Sequence, residues 1–468
     1  MAEDKDKKYK PVLEVDNELL ADIVELLHSK SDAMLKNIIA DLYDFDISVI
    51  IDNLKEDDDA VYLFSLLPHE TASEVIQEIN EHRKEVILDK IGGQKLSDIV
   101  SEMYSDDATD FVSDLDEEKQ QEVLQNLDAI DKEDSSEVRE LLSYDENTAG
   151  GIMAKEYIAI HKNITINDAI KEIQDQADEV DQFYNAYVVD NSNMLVGIIS
   201  LKRLIIALKN PTATISQVMN PDVISVQADV DQEEVAKIFR SYDLVSLPVV
   251  DNQNRIIGKI SIDDILDVME EEYDEDVAKM VGSDSEELEK KSPFAIAKLR
   301  LPWVLITLFI ELGGGFVIAQ YDETLRKVIL LASFQPVISA IAGNTGLQSA
   351  AIIVRALDTG LVSLNRWWDP VKRQLQTSII IGTVVALIVG IIGFMWEQEK
   401  SLLFAVTVAV SMFISINLSG VVGTIVPMLS KKMGFDPAIT SGPFETAFQD
   451  VVGISIFLSI ATLLLTHF

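Results

Sequence analysis

The sequence predicts a multi-domain membrane protein with an all-α superhelical N-domain, an α/β domain of tandem repeats, an acidic connecting helix and a five-helix transmembrane domain. Three observations support this fold class. Residues 1–291 hold 69 Asp and Glu against 27 Lys and Arg. Residues 292–468 hold only 10 acidic and 11 basic residues and are strongly apolar. Residues 155–269 contain an internal duplication.

Residues 1–147 are predicted to form the helical N-domain. Apolar residues recur three or four positions apart, for example in Leu19–His28 and Ala72–Ile79, as expected for amphipathic helices. A looser repeat, Asp58-Asp59-Ala60 and Asp106-Asp107-Ala108, suggests a superhelix of stacked helix pairs. These Asp pairs fall at predicted helix starts, where the helix dipole is a sufficient reason for an acidic residue.

Residues 148–270 are predicted to form the α/β domain. The segment from Val188 to Ser200 matches the segment from Val249 to Ser261, and each reads as strand, Asp-Asn turn, strand and helix. This duplication resembles a tandem pair of CBS repeats. The resemblance implies an adenine nucleotide as a partner, held by an Asp of a Ser-x-x-Asp turn. Asp264 occupies that position in the second copy, whereas Arg203 occupies it in the first.

Residues 271–298 are predicted to form the acidic connecting helix. Its carboxylates lie three and four residues apart, and like charges at these spacings destabilise an isolated helix. Such a helix needs solvent and salt, or bound cations. Because it directly precedes the first apolar stretch, we expect it to have a role in gating.

Residues 299–468 contain five apolar stretches, each long enough to cross a bilayer as a helix. They cover about 300–320, 328–354, 376–396, 401–429 and 442–467. Lys and Arg cluster before the first stretch, between the second and third, and between the fourth and fifth. This pattern predicts a cytoplasmic N-terminus and an outside C-terminus. The chain begins without an apolar signal segment, so we expect a multi-pass protein of the cytoplasmic (inner) membrane.

Polar residues within these stretches indicate an ion path. Asp450 lies about 12 Å into the fifth stretch at helical rise, where an ionised carboxylate needs water, a partner or an ion. A hydrogen-bonded tie between helices is the alternative for Asp450. Glu445 is interpreted as a pore residue or a snorkelling one, and Glu311 as a pore residue or a helix tie. Pro336 and the glycines of the second stretch are expected to loosen its helix.

Composition excludes several classes of protein. The chain has no cysteine and five scattered histidines, which disfavours zinc and copper sites. Carboxylate, carbonyl and water ligands suit Mg²⁺, Ca²⁺ or Mn²⁺ instead. The net charge of −41 repels nucleic acid, so we expect no nucleic-acid partner. We find no nucleophile–base set and no phosphate-binding loop, so the chain is not expected to be an enzyme.

The order of these segments resembles the MgtE family of magnesium channels. Four motifs carry the resemblance: Gly343-Asn-Thr-Gly-x-Gln348, Gly423-x-x-x-Pro427, Gly434-Phe-Asp-Pro-Ala438 and Pro443 to Asp450 with Gly453. The resemblance implies a homodimer with the pore at the dimer interface, in which Asp450 from each chain holds a hydrated Mg²⁺. It further implies a set of pore-lining positions: Gly343, Asn344, Gly346, Gln348, Pro443, Glu445 and Gln449.

The resemblance also implies a cytosolic magnesium sensor built from carboxylates. The positions that match its ligands are Glu74, Asp106, Asp110, Asp231, Glu233, Asp243, Asp264, Asp267, Glu272, Glu275 and Asp276. Bound Mg²⁺ would neutralise their repulsion and close the pore when intracellular magnesium is high. Leu347, Gly442 and Val452 depart from residues frequent in the family, which leaves selectivity against Ca²⁺, Mn²⁺ and Co²⁺ open.

The leading hypothesis is therefore a magnesium-selective, magnesium-gated channel for Mg²⁺ uptake. Two alternatives stay open at this level. One is a divalent-cation transporter coupled to Na⁺ or H⁺, with Glu311 or Glu445 as coupling carboxylates. The other is a nucleotide-sensing membrane scaffold that does not transport.

Overall fold

The computed structural model describes residues 15, 17–177, 180, 183–287, 292–397 and 401–465. The basic residues Lys290, Lys291 and Lys400, which enter the orientation argument, lie outside these residues, as does the end of the fifth predicted stretch. The chain divides into two compact units, Met1–Met269 and Glu270–Phe468.

Ten helices form the first part of the chain, as the apolar periodicity predicts. They are α1 (Asn17–His28), α2 (Asp32–Ala40), α3 (Asp44–Asn53), α4 (Asp57–Ser65), α5 (His69–Glu78), α6 (Glu81–Lys90), α7 (Gly93–Val100), α8 (Ser105–Ser113), α9 (Glu117–Ile130) and α10 (Lys132–Leu141). Helix α5 packs on α3 and on α7, α7 packs on α9, and α4 packs on α6. Each of these contacts joins a helix to the helix two positions later in the chain, as is typical of stacked helix pairs. Ile51, Phe64 and Val112 are fully buried in the shared core.

The acidic residues at the starts of α4 and α8 have more than a helix dipole to interact with. Asp57 pairs with the buried Arg83 of α6, and Asp58 pairs with Lys90 of the same helix. The Arg83 guanidinium also donates to the carbonyl oxygen of Leu54. These ion pairs link one helix pair to the next, whereas Asp106 and Asp107 of α8 face other carboxylates.

Two copies of a small α/β module follow. Their elements are β1 (Ala159–His161), α11 (Ile166–Gln176), β2 (Asn185–Val189), β3 (Leu195–Ser200), α12 (Leu201–Ala207), α13 (Ile215–Val218), β4 (Val226–Gln227), α14 (Gln232–Tyr242), β5 (Ser246–Val250), β6 (Ile256–Ser261) and α15 (Ile262–Val281). Each copy has a three-stranded sheet with a parallel pair followed by an antiparallel hairpin. Asn193 and Asn254 adopt positive φ angles of 58° and 60° in the two hairpin turns, which Asn tolerates. The Asp-Asn signal in the sequence thus located both turns.

The two modules exchange their opening segments. Met153 and Ala154, which precede the first sheet, lie against Gly258 and Lys259 of the second. Met219 and Asn220 occupy the same place against Gly197 and Ile198 of the first sheet. A Cβ at Gly197 or Gly258 would approach the methionine sulfur to 2.5 or 2.7 Å, so both strands need glycine there. This exchange joins the copies into one folded pair.

Helix α15 corrects the predicted connecting helix of residues 271–298. It begins directly after β6, runs to Val281 and therefore carries both the end of the repeat and the acidic segment. Gly282, with a φ of +76°, follows it, and the next long helix begins at Pro293. The sequence pattern missed the continuity because apolar residues at its start and acidic residues at its end look like different elements.

Five long apolar helices form the second part, in agreement with the five predicted spans. The elements here are α16 (Pro293–Gln320), α17 (Asp322–Lys327), α18 (Leu331–Asp358), α19 (Trp368–Trp396), α20 (Ser401–Lys432), α21 (Pro437–Ser441) and α22 (Pro443–Leu465). The expectation that the second span is loosened was wrong, because α18 is continuous through Pro336, Gly343 and Gly346. Gly343 and Gly346 instead allow neighbouring helices to pack close to α18.

Helices α18 and α20 cross in backbone contact. A Cβ on Gly423 of α20 would overlap the carbonyl group of Gly346 in α18. Next to this crossing, Ser419 donates a hydrogen bond to the carbonyl oxygen of Ala342. Further from it, Phe404 and Phe457 are fully buried in the core of the bundle. The crossing fixes how closely polar residues on neighbouring helices can approach.

We predict that Gly423→Ala destabilises the membrane half by about 1–3 kcal/mol, since the added methyl group forces the two backbones apart. Gly313→Ala is the matched control, because nothing lies within 4 Å of a Cβ at Gly313 in α16. The four tryptophans all lie in residues 303–396, so thermal unfolding of the detergent-solubilised chain followed by tryptophan fluorescence reports this half. An unchanged midpoint for Gly423→Ala would contradict the described crossing.

Candidate ion path and acidic cluster

Asp450 lies on α22 between α16 and α18. Its position, seven residues after Pro443, places it about 10 Å along the helix. The hydroxyl of Ser339 in α18 donates a 2.7 Å hydrogen bond to Asp450 Oδ1. The carboxyl group of Glu311 in α16 is a close electrostatic and hydrogen-bonding neighbour of Asp450. A Cβ at Gly343 would lie 3.5 Å from the same Oδ1, so a small residue there leaves the carboxylate accessible.

Glu445 and Gln449 lie one and two turns along the same helix and are buried within the chain. They are 1% and 2% exposed. Both carboxylate oxygens of Glu445 and Nε2 of Gln449 lack a hydrogen-bond partner among the described residues. Glu445 packs against Gly346, which also contacts Ser419. These two side chains therefore face a junction of α18, α20 and α22 rather than the outside of the chain.

The other predicted pore-lining positions divide between two environments. Asn344 and Gln348 are four residues apart on α18, and both are exposed. Gly343 and Gly346 are buried on the opposite side, where α18 meets its neighbours. Pro443 is half-buried and packs against Gly282. An exposed pair of amide side chains on an otherwise apolar helix needs water or a further chain beside it.

In the first unit, an acidic cluster lies where the helical domain meets the CBS pair. Its members come from three helices: Glu74 from α5, Asp106, Asp107 and Asp110 from α8, and Asp264 from the start of α15. Asp106 is only 8% exposed, and the backbone N–H of Asp107 donates to it over 3.0 Å. The Ser261 N–H and hydroxyl donate to Asp264 over 3.0 and 2.5 Å.

The cluster has too little compensating positive charge. Burial, followed by the negative charge of Asp264, raises the pKa of Asp106 well above its usual range. The same two causes raise the pKa of Asp107 to about 7. Burial also raises the pKa of Asp264, against the opposing effect of its hydrogen bonds from Ser261. At neutral pH these side chains either take up protons or need cations.

A second acidic group adjoins the cluster at the start of the CBS pair. Glu156 accepts hydrogen bonds from the N–H and hydroxyl of Ser105, at 2.9 and 2.8 Å. Burial and the charge of Glu156 together raise the pKa of Glu137 to about 7. The predicted set missed Asp107, Glu137 and Glu156. Only Asp107 has a visible signal, the Asp-Asp pair, whereas Glu137 and Glu156 meet through tertiary contacts.

The remaining predicted sensor residues lie on or next to α14 and α15. Asp231 caps α14 by accepting from the N–H of Glu233, and Glu233 pairs with Lys237. Asp243 ends that helix in a left-handed conformation with φ of 51°. Asp267, Glu272, Glu275 and Asp276 lie along α15. The structure therefore brings together four of the predicted positions: Glu74, Asp106, Asp110 and Asp264.

The end of α15 is tied to the loop before α21. Lys279 pairs with Glu275 at 2.5 Å and with Asp436 at 2.9 Å. Burial lowers the pKa of Lys279, but hydrogen bonds to Asp436 and Glu275 outweigh it and raise the pKa overall. A Cβ at Gly442 would lie 2.6 Å from the carbonyl oxygen of Met280. Glycine at position 442 thus allows the end of α15 to reach the start of α22.

Within the described residues, no group of three or more Asp, Glu or His side chains is already arranged as a metal site. The acidic cluster is therefore a region of unbalanced charge, not a formed coordination shell. Ser339 and Glu311 are the partners of Asp450 that the motifs did not supply. No sequence motif marks Ser339, which is one serine among many.

The five apolar helices define a multi-pass membrane protein. Its helical domain and CBS pair form a large unit that precedes these helices in the chain. Three families match its parts: a divalent cation transporter family, MgtE, at residues 335–460, the MgtE intracellular N domain at residues 42–147, and the CBS domain at residues 149–210 and 215–271.

Curated relatives match most of the chain. The "Magnesium transporter MgtE" of Bacillus subtilis is 32% identical over 95% of this chain and 97% of its own length. Those of Enterococcus faecalis and Thermus thermophilus are 35% and 34% identical, each over 72% of this chain, and over 73% and 74% of their own lengths. The chain belongs to the MgtE family of magnesium transporters.

A solved structure resembles the first unit. The crystal structure of the cytosolic domain of the Mg²⁺ channel MgtE in complex with ATP is 30% identical, with a TM-score of 0.50. The match covers 53% of this chain and 99% of that one. It agrees with the helical domain and CBS pair described above.

We predict that Asp107→Asn stabilises the region around α8 at pH 8 but not below about pH 4. The pKa of about 7 lies above the ordinary 3.8, so the folded chain binds more protons, and its stability falls between about pH 4 and 7. Between these pH values the native chain loses at most about 4 kcal/mol of its free energy of unfolding, and this loss is complete above pH 7. Hydrogen exchange of α8 peptides in Mg²⁺-free buffer, corrected for intrinsic rates, measures it. Exposed Glu102→Gln is the control; an identical pH profile for Asp107→Asn would refute the prediction.

Proposed function

We propose that this protein is a magnesium-selective channel that takes up Mg²⁺ across the cytoplasmic membrane and closes when its cytosolic carboxylates bind Mg²⁺. Membership of a family of magnesium transporters supports the cargo. The observation that carries the proposal is Asp450, a carboxylate about 10 Å along an apolar helix, held by Ser339 and beside Glu311. Two carboxyl groups at membrane depth are costly unless a cation offsets their charge.

The pore is proposed to lie between two copies of the chain. Exposed Asn344 and Gln348 on α18 support this arrangement, because lipid could not satisfy their amide groups. Magnesium sheds its water reluctantly, so paired Asp450 carboxylates would grip the hydrated ion. The proposed orientation has a cytoplasmic N-terminus, and the proposed domain division is residues 1–147, 148–270 and 299–468, joined by a connecting segment of residues 271–298 that begins inside α15.

We predict that Asp450→Asn lowers Mg²⁺ influx into proteoliposomes by more than about tenfold, since it removes the charge that attracts the ion. Asn still accepts the hydrogen bond from Ser339, so the helix contact is kept. Asp322→Asn, on the short exposed helix α17, is the control. A Mg²⁺-sensitive dye inside the liposomes measures influx, and size-exclusion chromatography checks assembly. Full influx through Asp450→Asn would return Asp450 to a purely structural role.

Gating is proposed to act through the acidic cluster. Its carboxylates come from the helical domain and from the start of α15, the helix that leads towards the membrane half. Mg²⁺ bound there would offset the repulsion between Asp264 and the carboxylates of α8. Without Mg²⁺, the repulsion would favour separation of these helices, so ion binding shifts the population between the two states.

We predict that Asp264→Asn raises the internal Mg²⁺ concentration needed for half-inhibition of influx by about tenfold, within the usual range of coupling free energies. The Asn side-chain oxygen can still accept from Ser261. Maximal influx should stay unchanged, because Asp264 lies far in the chain from the ion path. Exposed Glu102→Gln should leave inhibition as it is. If Asp264→Asn is inhibited at the native concentration, the sensing carboxylates lie elsewhere.

An adenine nucleotide is proposed as a second ligand of the CBS pair. The related cytosolic domain was solved in complex with ATP, which supports the proposal. In this chain Asp264 accepts two hydrogen bonds from Ser261 and also faces the acidic cluster. A nucleotide that engages Asp264 would therefore remove one carboxylate from the cluster. Arg203 in the first copy supports a single nucleotide site.

A further inference from the structure

The junction of α18, α20 and α22 contains a buried carboxylate whose polar neighbours, in the part of the chain that the structure describes, are the Gln449 amide and Asp450, without a basic group. Glu445 is 1% exposed, and within the described residues neither of its carboxylate oxygens has a hydrogen-bond partner of regular geometry. Gln449, one turn further on, is 2% exposed and also has an unpartnered side-chain nitrogen. An ionised carboxylate in such surroundings costs several kcal/mol unless a counter-charge is present. The burial of both side chains excludes bulk water as that compensation.

Other oxygen atoms are available on the three helices of this junction. Ser419 contacts Gly346 beside Glu445 and gives its hydrogen to the carbonyl oxygen of Ala342, so its lone pairs stay available. Pro427 of α20 has no N–H, so the carbonyl oxygen of Gly423 lacks its helical donor. Gly423 touches Gly346 directly. Rotation of its amide lets Gln449 offer an oxygen in place of its nitrogen.

We propose that Glu445, Gln449, Ser419 and the carbonyl oxygen of Gly423 form a binding site for a sodium ion inside each protomer. One carboxylate balances one monovalent charge, whereas Mg²⁺ would leave an excess positive charge in an apolar region. Mg²⁺ also keeps several waters and octahedral geometry, whereas protein oxygens would replace most of the water around an ion bound here. Sodium loses its water more readily and accepts irregular oxygen ligands.

The proposed sodium site lies close to the ion path. Glu445 is five residues before Asp450 on α22, and the two carboxyl groups interact electrostatically. A bound sodium ion cancels the charge of Glu445 and so weakens the negative field that Mg²⁺ meets at Asp450. Sodium occupancy therefore modulates Mg²⁺ influx. This effect on influx rests on the function proposed above, whereas sodium binding does not.

Equilibrium binding of ²²Na⁺ to the full chain in lipid nanodiscs, without Mg²⁺ and with choline as the balancing cation, tests the site. We expect saturable binding of about one ion per chain, displaced by Na⁺ and Li⁺ but not by choline. Glu445→Gln should weaken binding more than about 100-fold, because it removes the only full charge among the ligands. The exposed Glu323→Gln should keep it, and Asp450→Asn should weaken it by less than about tenfold, because Asp450 is no proposed ligand and acts only through its charge.

A second substitution keeps the test valid if the Glu445→Gln variant does not fold. Glu445→Asp keeps the charge but withdraws it by one methylene, so binding should weaken about tenfold and stay measurable. Tryptophan fluorescence unfolding verifies that each variant is folded. No saturable binding to the native chain, binding that survives Glu445→Gln, or binding lost only in Asp450→Asn would each overturn the site. An absence of saturable binding to the native chain would indicate that Glu445 is protonated instead.

Parallel Mg²⁺ influx separates this proposal from the function of the protein. Native influx with no ²²Na⁺ binding overturns the sodium site and leaves the channel in place. ²²Na⁺ binding without any Mg²⁺ influx overturns the channel and leaves the site in place. If the native chain shows both ²²Na⁺ binding and Mg²⁺ influx, influx at a fixed Mg²⁺ gradient should be lower in sodium than in choline. This difference should be smaller in Glu445→Asp.

Discussion

Negative charge that leaves bulk water needs a partner, and this constraint shapes both halves of the chain. In the first unit, Asp57 pairs with the buried Arg83 of the next helix pair. Among the described residues, Asp106 and Asp107 form no ion pair with a basic residue, and burial raises the pKa values of both. In the membrane half, the buried Glu445 makes no hydrogen bond of regular geometry within the described residues. A cation is the simplest single partner for each of these groups.

Glycine packing makes these charged positions compatible with a compact membrane bundle. The contact between Gly346 and Gly423 brings α18 and α20 together at the backbone, and this leaves Glu445 buried between them and α22. Gly343, one turn earlier, leaves the carboxylate of Asp450 accessible from α18. The same helix thus packs tightly at one glycine and leaves space at another. Polar side chains could not lie at these depths if both positions carried larger residues.

Helix α15 gives the chain a continuous element between its two units. Its first turn holds Asp264 in the acidic cluster, and its last turn holds Lys279 in ion pairs with Glu275 and Asp436. In the proposed gating mechanism, a cation that offsets the charge of Asp264 would act on the same helix that Lys279 ties to the loop before α21.

The sequence by itself determined the class of the protein and its main elements. Apolar length located five membrane helices, the 3.6-residue period predicted the N-terminal helices, and the duplicated Asp-Asn turns located both hairpins. These features are local, so they can be read from consecutive residues. Asp450 also stood out locally, because a carboxylate within an apolar run is rare.

Only the tertiary structure decided which polar groups meet. Ser339 donates to Asp450 across 111 residues of sequence, and Glu137 meets Glu156 through the packing of α10 near the CBS pair. The sequence predicts Glu445 and Gln449 as pore-lining residues, and the packing of the helices buries both side chains, with Glu445 against Gly346. Composition records how many carboxylates a chain carries. Their burial and mutual distances, which set their charge and their need for cations, depend on how distant helices pack.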